Sequence, residues 1–201
     1  MPEFYRSEGS QQVPITRDLL QRSLAHRTSH AEMRAAEAEF DRFLRGLGTL
    51  MKGQKEESGG DRLHQFVRSL EALVLPEQGR STMQFGHRCQ TFGRGGITRS
   101  TLLQAYDMRS AIEHLNRWDE PVKGYASDER ETLCWQRTRQ IEQLACDAYS
   151  RLLSNSELRE RFRTDDAIRQ FWRLPDGQRS ELWVPAVGIE EQLARRRNRP
   201  E

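Results

Sequence analysis

Cysteine is scarce in this 201-residue sequence. The three cysteines, Cys89, Cys134 and Cys146, are odd in number and widely spaced, and none belongs to a Cys-x-x-Cys or Cys/His ligand pattern. This usage does not support a disulfide framework or a structural zinc site. We therefore expect a chain that works in a reducing compartment without a metal ion or another cofactor.

Long apolar runs are also missing. No stretch of 18 apolar residues occurs, and the first residues, MPEFYRSEGSQQ, contain no apolar core of the kind found in a signal peptide. The sequence therefore predicts a cytoplasmic protein with no membrane contact.

Lysine is nearly absent from the basic residues. Only three of the 32 lysines and arginines are lysine, and the net charge is +2. So small a net charge produces no global field that would draw the protein onto nucleic acid. Arginine suits both phosphate recognition and buried ion pairs. Genomic codon bias would produce the same excess of arginine. Composition alone therefore does not decide between codon bias and a role for arginine in phosphate binding or ion pairs.

No segment shows the alternation of a strand, whereas apolar residues recur three or four positions apart along most of the chain. This spacing predicts an all-α bundle of four to six helices with short connections. The amphipathic helix expected at 61–75 has Asp61 as its predicted N-cap and Pro76 as its stop. The helices are expected over residues 16–51 with a break near Thr28 and Ser29, 61–75, 81–92, 98–118 and 127–155, with short helices at 156–162 and 165–173.

The chain divides into three parts by composition. Residues 1–13 are polar and contain proline and glycine, which predicts a flexible lead-in. Residues 14–175 are expected to form the helical domain. Residues 176–201 are expected to form a polar tail with the basic end LARRRNRPE.

The segment AYDMRSAIEHL places Arg109 and His114 five positions apart in a predicted helix. With five histidines and so many arginines, chance alone gives roughly 0.7 pairs of the form Arg-x4-His, so this spacing carries little information by itself. At 100° per residue the two side chains point about 140° apart and do not share one face. Two copies of the helix meeting across a two-fold axis would let both converge on one substrate, which favours a dimer.

Arg109 falls among apolar residues of this helix. A guanidinium held there needs a carboxylate, because an unpaired buried charge is very costly. Glu71, at the edge of the apolar stripe of the preceding amphipathic helix, is the predicted partner. The alternative is a surface pair between Arg109 and Glu113, worth about 0.2 to 0.5 kcal/mol.

His114 is expected on a polar stripe of the same helix, beside Asp107, Ser110 and Arg117. In the simplest interpretation it is a solvated helix residue.

Three sequence elements, in this order and spacing, resemble the Apea-like branch of the HEPN superfamily. The resemblance spans residues 60–118. The elements are Leu70-Glu71-Ala72-Leu73 with Pro76, then Phe85 with Arg88, then Tyr106, Asp107, Arg109, Ser110 and His114.

The resemblance implies a HEPN-like helical bundle that forms a homodimer, and in catalytic members a metal-independent endoribonuclease. On this chain His114 would move protons, Arg109 would bind the phosphate or orient the site, and Ser110 would be a neighbouring hydrogen-bonding residue. The supporting residues would be Glu71, Asp107, Tyr106 and Arg117. The family further suggests a defence or toxin–antitoxin setting, with RNA as substrate and an antitoxin or another protein as partner.

Two positions depart from the pattern of active members. Ser110 stands where Asn, Asp or His frequently follows the arginine, and Leu115 stands where a glycine often follows the histidine. The alternative function is therefore a non-catalytic HEPN-like module that binds RNA or protein.

Overall fold

The computed structural model of this protein describes residues 17–93 and 96–183. These residues contain nine α-helices, one short 3-10 helix and no strand, which confirms the all-α class. Six of the helices have twelve or more residues, and three short ones follow. They are α1 (Arg17–Ala35), α2 (Glu37–Gly53), α3 (Gly59–Val74), α4 (Ser81–Phe92), α5 (Arg99–Glu113), α6 (Ser127–Ser154), α7 (Ser156–Glu160), α8 (Asp165–Arg173) and α9 (Asp176–Trp183), with the 3-10 helix at Glu120–Val122 before α6.

Helix α3 is the centre of the bundle and packs against α2, α5 and α6. Its side chains Leu63, Phe66, Leu70 and Leu73 have no exposed surface. Full burial of a Leu or Phe side chain contributes about 1.5 to 3 kcal/mol, so this helix holds much of the hydrophobic stabilisation. Polar residues on its remaining face are therefore positioned by a rigid core element.

The start of α3 differs from the prediction. Ser58, not Asp61, is the N-cap, and its hydroxyl accepts a hydrogen bond from the backbone N–H of Asp61 at 3.4 Å. Both residue types are good caps, and the helix gains one turn by starting earlier. At the other end Leu75 adopts a positive φ of 47°, and Pro76 follows as the expected stop.

The first helix also ends at a different residue than expected. The predicted break near Thr28 is absent, and the helix ends instead at Ala35, before Ala36. The Thr28 hydroxyl donates to the carbonyl of Leu24 at 3.1 Å, so this residue satisfies its polar group within the helix.

Helix α5 is shorter than the sequence predicted. It ends at Glu113 instead of near residue 118, and His114 is its C-cap. Leu115 then adopts a positive φ of 57°, and the backbone N–H of Asn116 bonds to the carbonyl of Ala111 at 2.9 Å. A left-handed residue after a helix is usually glycine, and a leucine there costs roughly 1 to 2 kcal/mol.

The packed helices continue past residue 175, where the sequence predicted the start of a polar tail. Trp183 at the end of α9 is buried, with its ring centroid 4.7 Å from that of Phe92. The expected lead-in at 1–13 and residues 184–201 lie outside the described residues. Within the described ranges, no helix is long and apolar enough to cross a membrane.

Gly46 lets α2 approach α3 and α6 closely. A Cβ at this position would lie 2.6 Å from the Cβ of Ala72 and would collide with the hydroxyl oxygen of Tyr149. That hydroxyl is buried and donates to the carbonyl of Ser69 at 2.9 Å. The close helix crossing therefore depends on the absence of a side chain at Gly46.

We predict that Gly46→Ala lowers the free energy of unfolding by roughly 1 to 3 kcal/mol, because the new methyl group overpacks the crossing. Gly48→Ala, in the same helix, is the matched control because no atom lies within 4 Å of its Cβ. The control should be neutral or stabilising by up to about 1 kcal/mol. Urea denaturation of both variants measures the difference, and equal stabilities would contradict the packing.

Candidate functional site

A carboxylate of α3 joins two side chains of α5. Glu71 accepts a hydrogen bond from the hydroxyl of Tyr106 at 3.0 Å through one oxygen, and from Nη2 of Arg109 at 3.1 Å through the other. The side chains of Arg109 and Glu71 are only 14% and 18% exposed. The ion pair predicted from the position of Arg109 on its helix is therefore present.

A second carboxylate contacts the same guanidinium. Nη1 of Arg109 lies 2.5 Å from a carboxylate oxygen of Glu113, one turn later in α5. The guanidinium also lies 5.4 Å from the ring centroid of Tyr106. The i,i+4 pair that the sequence offered as an alternative to the Glu71 pair exists together with it. Two carboxylates thus share one cation, and the local formal charge of the three groups is −1.

His64 of α3 extends this cluster, and the sequence analysis missed it. Its Nε2 lies 3.4 Å from a carboxylate oxygen of Glu113, but the atom is buried without a hydrogen-bond partner among the described residues. Burial lowers the pKa of His64 below its ordinary value; Glu113 acts in the opposite direction, and Arg109 reinforces the lowering. The available signal was the seven-residue spacing between His64 and Glu71, which puts both on one face of α3.

The other predicted site residues lie apart from this cluster. His114 is exposed at the C-cap, and its side chain makes no hydrogen bond or ion pair with any described residue. Asp107 is exposed and Ser110 is half-buried. Arg117 does not continue a polar stripe of α5, because the helix has already ended; its guanidinium binds Asp119 through two hydrogen bonds of 3.0 and 3.1 Å.

Phe85 and Arg88, the second of the three resembling sequence elements, also have structural contacts. The Phe85 ring packs against that of Tyr106 with a centroid distance of 5.0 Å. Arg88 donates to the carbonyls of Val74 and Leu75 at 2.8 and 3.0 Å, which satisfies acceptors at the C-terminal end of α3. The segments that carry the resemblance therefore pack α3, α4 and α5 together.

The chemistry of the α3–α5 cluster is that of an ion-pair network with no surplus positive charge. Its one permanent cation is enclosed by carboxylates, and burial favours the neutral form of His64. In the part of the chain that the structure describes, no group of three or more His, Cys, Asp or Glu side chains could hold a metal ion. The arrangement suits holding two helices together.

Comparison with known proteins adds no relative of established function. No family model, no curated protein and no solved structure matches this chain. The geometry of the site and the motif resemblance are the basis for a functional proposal.

We predict that His64 makes the fold less stable as the pH falls below about 6.5, the ordinary histidine pKa. Since its pKa is lower in the folded than in the unfolded state, the unfolded chain binds more protons between the two values, and acid favours unfolding. Above both pKa values the histidine is neutral in the folded and the unfolded state, so it does not contribute to the pH dependence of the free energy of unfolding.

Urea denaturation at pH 5 and pH 7.5 tests this prediction on wild type and His64→Gln. The variant should lose less stability on acidification than the wild type. His30→Gln removes an exposed imidazole of α1 and serves as the control. An equal acid loss in wild type and His64→Gln would contradict the assignment.

Proposed function

We propose that this protein is a non-catalytic, HEPN-like RNA-binding module. The observation that carries the proposal is the enclosure of Arg109 by Glu71 and Glu113. Cleavage of a phosphodiester requires positive charge at the developing phosphorane. A guanidinium already matched by two carboxylates has no surplus charge for this purpose.

Releasing Arg109 from Glu71 to bind a ligand would also cost free energy. Turning Arg109 toward a phosphate would leave Glu71 largely buried and without its cation. Removing one partner of a buried ion pair costs about 3 to 5 kcal/mol, and the partial exposure of this pair places it toward the low end. The interaction of Arg109 with a phosphate would have to offset this cost before it contributed any net affinity. RNA as the ligand is supported by the motif resemblance.

A metal-independent endoribonuclease is the second candidate, favoured by one specific observation. His114 is exposed at the end of α5, and its side chain has no competing bond among the described residues. In a homodimer, a second His114 would provide the acid that complements the base. A cytoplasmic location, an antitoxin partner and a defence or toxin–antitoxin setting belong to this second proposal.

Incubation of the purified protein with a mixture of structured RNAs in EDTA tests the two functions. We predict that the protein slows the migration of RNA in a gel-shift assay and that no new RNA ends appear. His114→Ala should bind RNA as wild type does and should likewise produce no new ends. The histidine is exposed, so its replacement should leave folding unchanged.

EDTA-resistant cleavage that is lost in His114→Ala would overturn the non-catalytic proposal and establish the second candidate. Cleavage that persists in the variant and co-purifies with the protein would also overturn the non-catalytic proposal, with groups other than His114 as the catalysts. Arg109→Ala is unsuitable for this comparison, because it removes the ion pair between α3 and α5 as well as a candidate catalytic group.

A further inference from the structure

A cleft of about 440 Å³ opens along the α2–α3 contact. Its lining includes three arginines, Arg42 and Arg45 of α2 and Arg68 of α3, and a single carboxylate, Glu71. A smaller depression of about 200 Å³ shares Leu75 and the adjoining Pro76 with this cleft. The two depressions therefore adjoin at the C-terminal end of α3, and we call them together the α3 groove.

The smaller depression adds three more arginines to the α3 groove. They are Arg88 of α4 and Arg169 and Arg173 of α8, and the one carboxylate beside them is Glu77. Six arginines and two glutamates thus line the groove in total. No lysine is among the lining residues, so every cation there has the planar fork that binds a phosphate through two parallel hydrogen bonds.

Three of the six arginines are already occupied. Arg42 binds Asp165 through two hydrogen bonds of 2.6 and 2.9 Å, which join α2 to α8. Arg88 is held by the backbone carbonyls at the end of α3. The guanidinium of Arg169 has two carboxylates beside it, those of Asp166 at 2.7 Å and Asp165 at 3.9 Å. These side chains shape the groove and contribute little free positive charge.

The other three arginines are accessible. Arg45 is 70% exposed, and its ion pair is an exposed i,i+4 contact of 3.1 Å with Asp41, worth only a few tenths of a kcal/mol. Arg68 and Arg173 are exposed, and neither has a hydrogen bond or an ion pair within the described ranges. The Glu71 carboxylate accepts hydrogen bonds from Tyr106 and Arg109 of α5, so its charge is largely matched by Arg109.

We propose that the α3 groove binds the phosphate backbone of RNA, with Arg45, Arg68 and Arg173 as the contacting cations. This inference rests on the proposed RNA-binding function and gives that function a location. The proposed cations are not those of the Arg109 cluster, although Glu71 of that cluster also lines the groove, one turn of α3 from Arg68.

The groove offers contacts to a phosphate backbone and none that would recognise a base. The one aromatic residue in its lining, Trp172, is 7% exposed, and its indole N–H donates to the carbonyl of Leu73. No lining residue therefore offers an open ring on which a base could stack, which is how many single-strand binders gain affinity. Binding through phosphates alone is independent of sequence and strongly weakened by salt.

The test is fluorescence polarisation of a labelled oligouridylate of about twelve nucleotides over a range of salt concentrations. Three phosphate contacts give a slope of log affinity against log salt of roughly −2, because each contact to a single strand contributes about −0.7. In the double variant Arg45→Gln/Arg68→Gln the slope should fall to roughly −0.7, and affinity at moderate salt should drop by roughly tenfold. Neither arginine has a buried partner, so the variant should remain folded.

Arg27→Gln/Arg139→Gln is the matched control. It removes the same charge from exposed positions on α1 and α6 that do not line the groove, and it should bind as wild type within about twofold. The urea midpoints of both double variants verify that they are folded.

Each remaining outcome decides against the groove. If the groove variant and the control lose affinity equally, binding follows total charge and the α3 groove is not the site, although the RNA-binding function stands. If wild type does not bind RNA, or binds a glutamate-rich peptide instead, both the groove proposal and the proposed function fail.

Discussion

The need to neutralise Arg109 between two packed helices is the constraint on which this structure depends most. Glu71 meets that need from α3 and uses its second oxygen to accept from Tyr106, so one carboxylate fixes two side chains of α5. Since α3 is the core helix, the orientation of α5 is set by polar contacts as well as by apolar packing. Glu113 then completes the neutralisation from within α5.

The same constraint divides the charged residues around α3 into paired and accessible groups. Facing α5, charges are paired and largely buried, and a ligand would have to displace a carboxylate. Facing α2, Arg45 and Arg68 are accessible at little structural cost. Glu71, Phe85, Arg88, Tyr106 and Arg109 of the resembling motifs are accounted for by helix packing, whereas the accessible groove cations come from positions outside those motifs. A surface that binds phosphates is possible without loosening the core.

The sequence predicted the helical class and the Arg109–Glu71 pair because both follow from helical periodicity. It did not predict the end of α5 at Glu113, since a positive φ at Leu115 is unfavourable for leucine and has no local signal. Its choice of N-cap for α3 was wrong because Ser58 and Asp61 are equally suited by residue type. The contact of His64 with Glu113 depends on how α3 and α5 cross, which periodicity alone does not give.

The most direct test of this account is a double-mutant cycle between Glu71 and Arg109, measured by urea denaturation of Glu71→Gln, Arg109→Gln and the double variant. A neutralised, mostly buried pair predicts a coupling free energy of about 1 to 3 kcal/mol, with the double variant more stable than the sum of the two single losses would give. A coupling below about 0.5 kcal/mol, as for an exposed pair, would contradict the structural role of Arg109 and leave its guanidinium free for a ligand.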